Sequence, residues 1–296
     1  MPNTSPLCSS IKILTLSAAI ASTSMVQALD VDAGDYTALP EGTNLLAVYA
    51  QFAGRDGLYS NNTQVSGDYS LDSQVGILRG VHYTKIGDYI VDPQFLLPFG
   101  KLEAKGDLSG LGDTDGLGDL ILGATVWLVN NPQDKEYFGV TPYLFLPTGD
   151  YDNQDALNLG ENRYKLTMQA GYIKGLSDNV TLDLIGDVTL YGDNDDFGPT
   201  SDNLEQEPSY QLQAYIRYNI SPTFDIRAGL SKSWIGETSV NGIDNDDEAE
   251  VSKYQIGAGW FVTPTTQILA TYGDDISVDN GFKEDARLNL RLLTLF

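Results

Sequence analysis

The chain has 296 residues, 17 Lys+Arg against 41 Asp+Glu, and a formal net charge of -24. That balance excludes a nucleic-acid-binding protein, because phosphate recognition needs a basic footprint. A hydrophobic content of 42% excludes a disordered acidic tail, and 17 Tyr with 30 Gly favour a β protein rich in turns.

Residues 1–28 read as an export signal. Lys12 is the sole charge in that stretch, Ile13 to Ala21 is apolar or small, and Val26-Gln27-Ala28 places short residues where a signal peptidase reads. Cleavage is expected after Ala28. Cys8 leaves with the signal, so the remaining chain holds no cysteine for a disulfide, a zinc cluster or a thiol nucleophile. Residues 29–43 are expected to form a short periplasmic segment, and 44–296 a single folded domain. After residue 28 no stretch approaches the roughly 18 apolar residues of a membrane helix. A membrane β-barrel escapes that test, because its strands alternate.

Period-2 alternation bounded by Gly, Pro, Asn and Asp predicts twelve strands, at about 44–52, 73–84, 89–98, 118–129, 137–147, 164–174, 180–191, 208–220, 223–235, 251–262, 266–274 and 284–296. Their connections alternate strictly, six long and polar, five tight. A soluble sandwich gives no reason for that order. An up-and-down antiparallel transmembrane β-barrel does, with short periplasmic turns, long external loops and both termini periplasmic.

The faces agree. Leu182, Leu184, Val188 and Leu190 alternate with Thr181, Asp183, Asp187 and Thr189; Leu288, Leu290, Leu292 and Phe296 alternate with Arg287, Asn289 and Arg291. Alternation alone fits a sandwich core or a lipid-facing wall equally well. Aromatics at strand ends favour the barrel: Phe52, Tyr83, Tyr89, Phe138, Tyr164, Tyr172, Tyr210, Tyr218, Trp234 and Trp260 suit interfacial girdles. So does the terminal strand, whose Leu290, Leu292 and Phe296 resemble the C-terminal signature that the barrel assembly machinery reads, with a departure at Thr294. Arg79 and Lys232 fall on the lipid-side parity; either a bulge turns them inward or they snorkel at an interface.

Several segments resemble the MetA-pathway of phenol degradation family, a group of outer-membrane, transporter-like barrels. They run in order: Leu39-Pro40-Glu41-Gly42-Thr43-Asn44 opening the first strand, Leu97-Pro98-Phe99-Gly100 after the third, Gly116-Leu117-Gly118-Asp119-Leu120 entering the fourth, Leu146-Pro147-Thr148-Gly149-Asp150 closing the fifth, then Leu159-Gly160. The resemblance implies an exported barrel linked to aromatic catabolism and carries no catalytic residues. Asp119 and Asp150 have two readings: structural turns, or solute contacts at a pore mouth.

Enzymatic chemistry finds little footing. His82 is the lone histidine, on the second strand's less apolar parity, without a Gly-x-Ser-x-Gly elbow. Asp183 and Asp187 stand about 13 Å apart along a strand, too far for a glycosidase pair. The Asp193 loop begins like an EF-hand, but Phe197 and Leu204 occupy ligand positions. No catalytic site, cofactor or metal is expected.

The inward rows therefore supply the candidate residues. Lys165, Arg217, Arg227, Lys253, Arg287 and Arg291 face Asp92, Asp119, Asp183, Asp187 and Asp225, with Tyr49, Trp127, Tyr137, Tyr143, Phe145 and Tyr215 among them. The expected function is an outer-membrane channel for passive uptake of small organic, including aromatic, solutes. Rings from the fourth, fifth and eighth strands would stack the solute, and charged rows would orient it. The expected partners are outer-membrane lipid, lipopolysaccharide, the assembly machinery and the solute. The alternatives are a non-transporting surface barrel whose acidic loops bind a partner, and an outer-membrane hydrolase.

Overall fold

The computed structural model describes residues 30–296. The expected signal, its cleavage point and Cys8 lie outside the described residues.

Twelve strands form the wall: β1 Asn44–Gly54, β2 Tyr69–His82, β3 Tyr89–Gly106, β4 Leu120–Asn131, β5 Glu136–Leu146, β6 Lys165–Gly175, β7 Val180–Tyr191, β8 Ser209–Ser221, β9 Phe224–Ile235, β10 Ala249–Phe261, β11 Thr266–Val278 and β12 Ala286–Leu295. Each pairs antiparallel with its sequence neighbours, and β1 pairs with β12 from Leu45↔Leu295 to Gly54↔Ala286, which closes the barrel. At the seam the Asn44 N–H donates to the Phe296 carbonyl and the Phe296 N–H to the Asn44 carbonyl, at 2.8 and 3.0 Å. Closure leaves no edge with unpaired backbone groups. Both chain ends of the wall therefore sit at the end that carries the five tight turns.

The burial pattern separates barrel from sandwich. Thr141, Gln169, Thr167 and Gln213 are 0–3% exposed, whereas Leu184, Leu212, Ile216, Leu230 and Leu292 are 43–60% exposed. A protein in water hides its leucines. Polar residues inside and leucines outside are the arrangement of a wall that meets hydrocarbon.

The six long connections are more ordered than their polar composition suggests. Gly57–Ser60, Thr63–Gln64 and Gly281–Lys283 make one small sheet, and Asn194–Phe197, Asp202–Gln206, Thr238–Val240 and Ile243–Asp244 make another. Leu58, Leu71, Leu102, Leu108, Leu157, Leu159 and Phe282 pack together beneath them. A single 3₁₀ turn, Ser109–Leu111, is the one helical element among the described residues.

Two strand expectations are corrected. The third strand does not end at Pro98 but runs to Gly106. Its partner changes there: β4 pairs it up to Leu96↔Ile121, and Asp113–Leu117 takes over from Phe99↔Leu117. Pro98 lacks an N–H, so it sits where the ladder is broken anyway. In β2 the parity is inverted. Leu71, Ser73, Val75 and Val81 are buried inside, and Gln74 and His82 are exposed outside. Arg79 therefore needs no bulge; it lies on the inward row.

Candidate functional site: the lumen and its N-terminal segment

Residues 30–39 run inside the barrel. This is part of the segment expected at 29–43: Val31, Ala33, Tyr36 and Ala38 are buried against Val81, Tyr83, Trp127, Tyr137, Ile173, Ile185 and Tyr215 of the wall, not free of the barrel.

Side chains on many strands hold the segment. Arg287 pairs with Asp30 at 2.6 Å, Arg291 with Asp32 at 2.9 Å and Asp35 at 2.7 Å, and Arg79 with Asp35 at 2.7 Å. Arg227 donates to the Ala33 carbonyl at 2.8 Å. The Val31 N–H donates to Gln213 Oε1 at 3.2 Å and the Gly34 N–H to Asp183 Oδ2 at 2.5 Å. Trp127 Nε1 donates to the Tyr36 carbonyl at 3.1 Å, and the Tyr36 hydroxyl donates to Gln169 Oε1 at 3.0 Å. Buried backbone groups need partners, and here the wall supplies them as a strand ladder would.

Two glycines make the seating possible. Gly34 has φ +101°, a conformation that costs other residues steric strain. Gly171 on β6 faces inward, and a Cβ there would overlap the Tyr36 ring.

Each inward candidate can now be placed. Asp183, Arg217, Asp225, Arg227, Arg287 and Arg291 surround the segment, with Arg217 on Asp183 at 3.1 Å and Arg227 on Asp225 at 2.7 Å. Asp187 accepts from Gln169 Nε2 at 3.2 Å. Lys165 stands apart, near the long connections, on Glu161 and over the Phe145 ring at 4.5 Å. Trp127 and Tyr215 are covered by the segment, so the aromatic strip expected from the fourth, fifth and eighth strands is not free as a unit. Tyr143 keeps access to the cavity described below. Tyr83 is no girdle residue: it is buried, with its ring 5.5 Å from that of Trp127. Lys232 does face outward, where it pairs with Glu250 at 2.6 Å and lies over Trp234 at 5.2 Å, as snorkelling at an interface requires. His82 is exposed, with its Nδ1 2.8 Å from Asn44 Oδ1. Leu290, Leu292 and Phe296 point outward along the last strand.

Asp119 and Asp150 follow the structural reading. Asp119 accepts the N–H groups of Thr148, Gly149 and Glu161 at 2.9–3.1 Å, and Asp150 accepts that of Leu117 at 2.7 Å. Burial nonetheless pushes the Asp119 carboxyl up, against the pull of those N–H groups.

Above the segment, toward the long connections, lies a cavity of about 160 Å³. One wall is apolar, from Val75, Ile77, Leu96 and Tyr143. The polar part of the lining includes Gln169, Gln211, Gln255 and Asn289. Its rim is an ion network that was not anticipated. Glu284 takes Arg55 at 2.6 Å, Arg287 at 2.6 Å and Lys253 at 3.2 Å, while its N–H donates to Asp275 at 2.8 Å. Burial alone would raise the Glu284 carboxyl, but Arg287, Lys253 and Arg55 hold it well below the usual carboxylate range. A second such centre is Glu161, between Lys165 and Arg163; burial is outweighed there too, and the carboxyl falls to about 2.

Sequence reasoning also missed Asp30, Asp32, Asp35, Tyr36 and Arg79. A signal existed: three carboxylates in six residues, directly after the expected cleavage point, in a chain whose inward rows carry several arginines.

A closed twelve-stranded wall with leucines outside, charges inside and a segment seated in the lumen defines an outer-membrane channel-type barrel. Comparisons with known proteins narrow this. The family model described as "Putative MetA-pathway of phenol degradation" matches residues 54–292, and the chain belongs to that family. It is similar to the solved outer membrane channel from Pseudomonas putida F1, with a TM-score of 0.87 and 44% identity over 90% of this chain and 100% of that one. The β-domain of the Bordetella autotransporter BrkA shares the fold alone, with a TM-score of 0.50 and 9% identity over 87% of this chain and 100% of its own. No curated protein sequence matches.

Proposed function

We propose that the barrel passively admits small organic solutes, single-ring aromatics among them, through the cavity above the N-terminal segment. The tight-turn end, with both ends of the wall, faces the periplasm, and the long connections face outward among lipopolysaccharide. The observation that carries this reading is the cavity: about 160 Å³, close to the volume in which an engineered protein cavity takes up benzene. Its apolar wall suits a ring and its amide groups a polar substituent. Tyr143, Lys253 and Arg287 border it, whereas Trp127 and Tyr215 serve the segment. The similarity to a solved outer membrane channel supports the same reading.

The test is current through planar bilayers containing the full chain. Stepwise conductance, interrupted by benzyl alcohol and less so in Tyr143→Ala, is expected. A folded, heat-modifiable barrel that gives no steps would instead favour the non-transporting surface barrel. Leu290, Leu292 and Phe296 would act in assembly: deleting Phe296 should lower the yield of membrane-inserted barrel severalfold, and an unchanged yield would remove that role.

A further inference from the structure

Arg79 and Arg291 differ from the other lumen cations in who neutralises them. Arg217 and Arg227 have carboxylates of the wall, Asp183 and Asp225, and Arg287 has Glu284. Among the described residues, the ion pairs of Arg79 and Arg291 run to Asp32 and Asp35 alone, both on the N-terminal segment. Their remaining partners are neutral. Arg79 donates to Tyr49 Oη at 3.2 Å and Gln94 Oε1 at 3.0 Å, and Arg291 donates to Gln267 Oε1 at 2.8 Å. The Arg291 guanidinium lies over the Tyr49 ring at 5.8 Å, and its Nε is buried without a partner.

The Asp35 carboxylate shows what fits between them. One oxygen takes Arg291 and the other takes Arg79, each at 2.7 Å. A single carboxylate thus bridges two guanidinium groups, and both arginines are largely buried. Charge-assisted bonds of this kind are about twice as strong as neutral ones. If the segment withdraws, the two buried cations lose their paired carboxylates, the wall's Asp92 being linked to Arg79 only through Gln94, and that loss is costly unless another anion replaces them. The cavity adjoins this point: Asp35, Tyr49, Arg79 and Tyr143 all line it, beside Ile77 and Leu96.

We infer that Arg79, Arg291 and Tyr49 form a binding site for a small aromatic carboxylate, which Asp32 and Asp35 occupy as tethered stand-ins. The inference rests on the channel reading for its biological use but not for its chemistry. The carboxylate takes the place of Asp35 between the guanidiniums, and the ring lies against Ile77, Leu96 and Tyr143. A tethered competitor acts at an effective concentration in the millimolar range. The wild-type chain therefore binds such a ligand weakly, and binding is linked to withdrawal of the segment, which opens the lumen.

The test uses the full chain in lipid nanodiscs, titrated with benzoate and with neutral benzyl alcohol by calorimetry. Asp32→Asn with Asp35→Asn is expected to tighten benzoate at least tenfold and to change benzyl alcohol less than twofold. Adding Arg79→Gln and Arg291→Gln should remove the gain. Should the aspartate pair fail to fold, Gly171→Val, which displaces Tyr36 and alters no charge, should tighten benzoate in the same direction. Unchanged benzoate affinity in a folded variant, or an equal gain for benzyl alcohol, overturns the site. Current steps blocked by benzyl alcohol with no benzoate gain would also overturn it while leaving the channel intact. A benzoate gain in a barrel without current steps would sustain the site and reject the channel.

Discussion

Along β6, β7 and β8 the inward row carries Thr167, Gln169, Asp183, Asp187, Gln211 and Gln213 with Ile173, Ile185 and Tyr215 among them, and lipid-facing leucines between. Along β2, β3 and β4 the same row carries Val75, Ile77, Leu96 and Ile121, with Arg79, Asp92, Gln94 and Thr125 interspersed. The polar arc supplies Gln169, Asp183 and Gln213 as partners of the N-terminal segment, which also packs on Val81, Trp127 and Tyr137; the apolar arc gives the cavity its Val75, Ile77 and Leu96. One barrel thus offers its own chain hydrogen-bonding partners on one arc and a ring an apolar surface on the other. The difference also explains what could be read in advance. Where lipid lies outside and amides lie inside, alternation has one solution, and the predicted span of β7, 180–191, coincides with the observed one. In β2 the inward row, with Leu71, Val75, Ile77 and Val81, is the more apolar one, and the outward row carries Gln74, Gly76, Gly80 and His82, so β2 was expected the wrong way round, which misplaced Arg79.

Exchanging the character of the two arcs gives the largest expected effect. Leu96→Asn puts an amide into the apolar arc and should lower barrel stability by about 2–4 kcal/mol, from lost packing plus an unpaired polar group. Thr167→Val in the polar arc removes one hydroxyl pairing, 2.8 Å to Thr189, and should cost about 1 kcal/mol. Denaturant midpoints of the heat-modifiable band measure both. Equal losses would erase the distinction between the arcs.

Next in size is the seat itself. Gly171→Val overlaps the Tyr36 ring, and overpacking of this kind costs about 1–3 kcal/mol. Hydrogen exchange should accelerate at residues 31–36 while the β6 and β7 amides stay protected. Protection of the segment unchanged from wild type would mean that its seating does not depend on the polar arc.

A third effect is set by pH and belongs to the rim of the lumen. Glu161 falls from 4.5 to about 2 in the folded protein. A depressed carboxyl contributes stability that is present above its unfolded value and lost as pH falls toward its folded one. Melting temperature should therefore drop between about pH 4.5 and pH 2, and Glu161→Gln should flatten that part of the profile. A profile identical to wild type would show that Glu161 contributes nothing there.

The smallest effect is expected on the lipid side. Lys232 pairs with Glu250 at 2.6 Å, but both side chains are 42–52% exposed. Exposed pairs contribute about 0–1 kcal/mol, so Lys232→Gln should leave the midpoint nearly unchanged. A loss as large as that of Leu96→Asn would place Lys232 deeper in the wall than its surroundings indicate.

Much of the remaining architecture was legible for physical reasons. Strand number and the long–short rhythm follow from alternation and turn residues, and the C-terminal face from Leu288 to Phe296 reads directly. The extension of β3 past Pro98 was hidden, because a proline usually ends a strand and here marks a change of partner. The position of residues 30–39 was hidden more deeply. Asp30 meets Arg287, and Asp35 meets both Arg79 and Arg291, across separations that no local pattern encodes. Glu284 gathers Arg55, Lys253 and Arg287 for the same reason: the barrel's closure makes neighbours of the first and last strands.

The central claim is that residues 30–39 fill the lumen and that their withdrawal opens it. Single-channel conductance of the full chain against a variant lacking residues 30–42, with residues 1–29 retained, tests it most directly. The account predicts small steps for the former and severalfold larger ones for the latter, at equal barrel insertion. Equal step sizes in two folded, inserted barrels would contradict it.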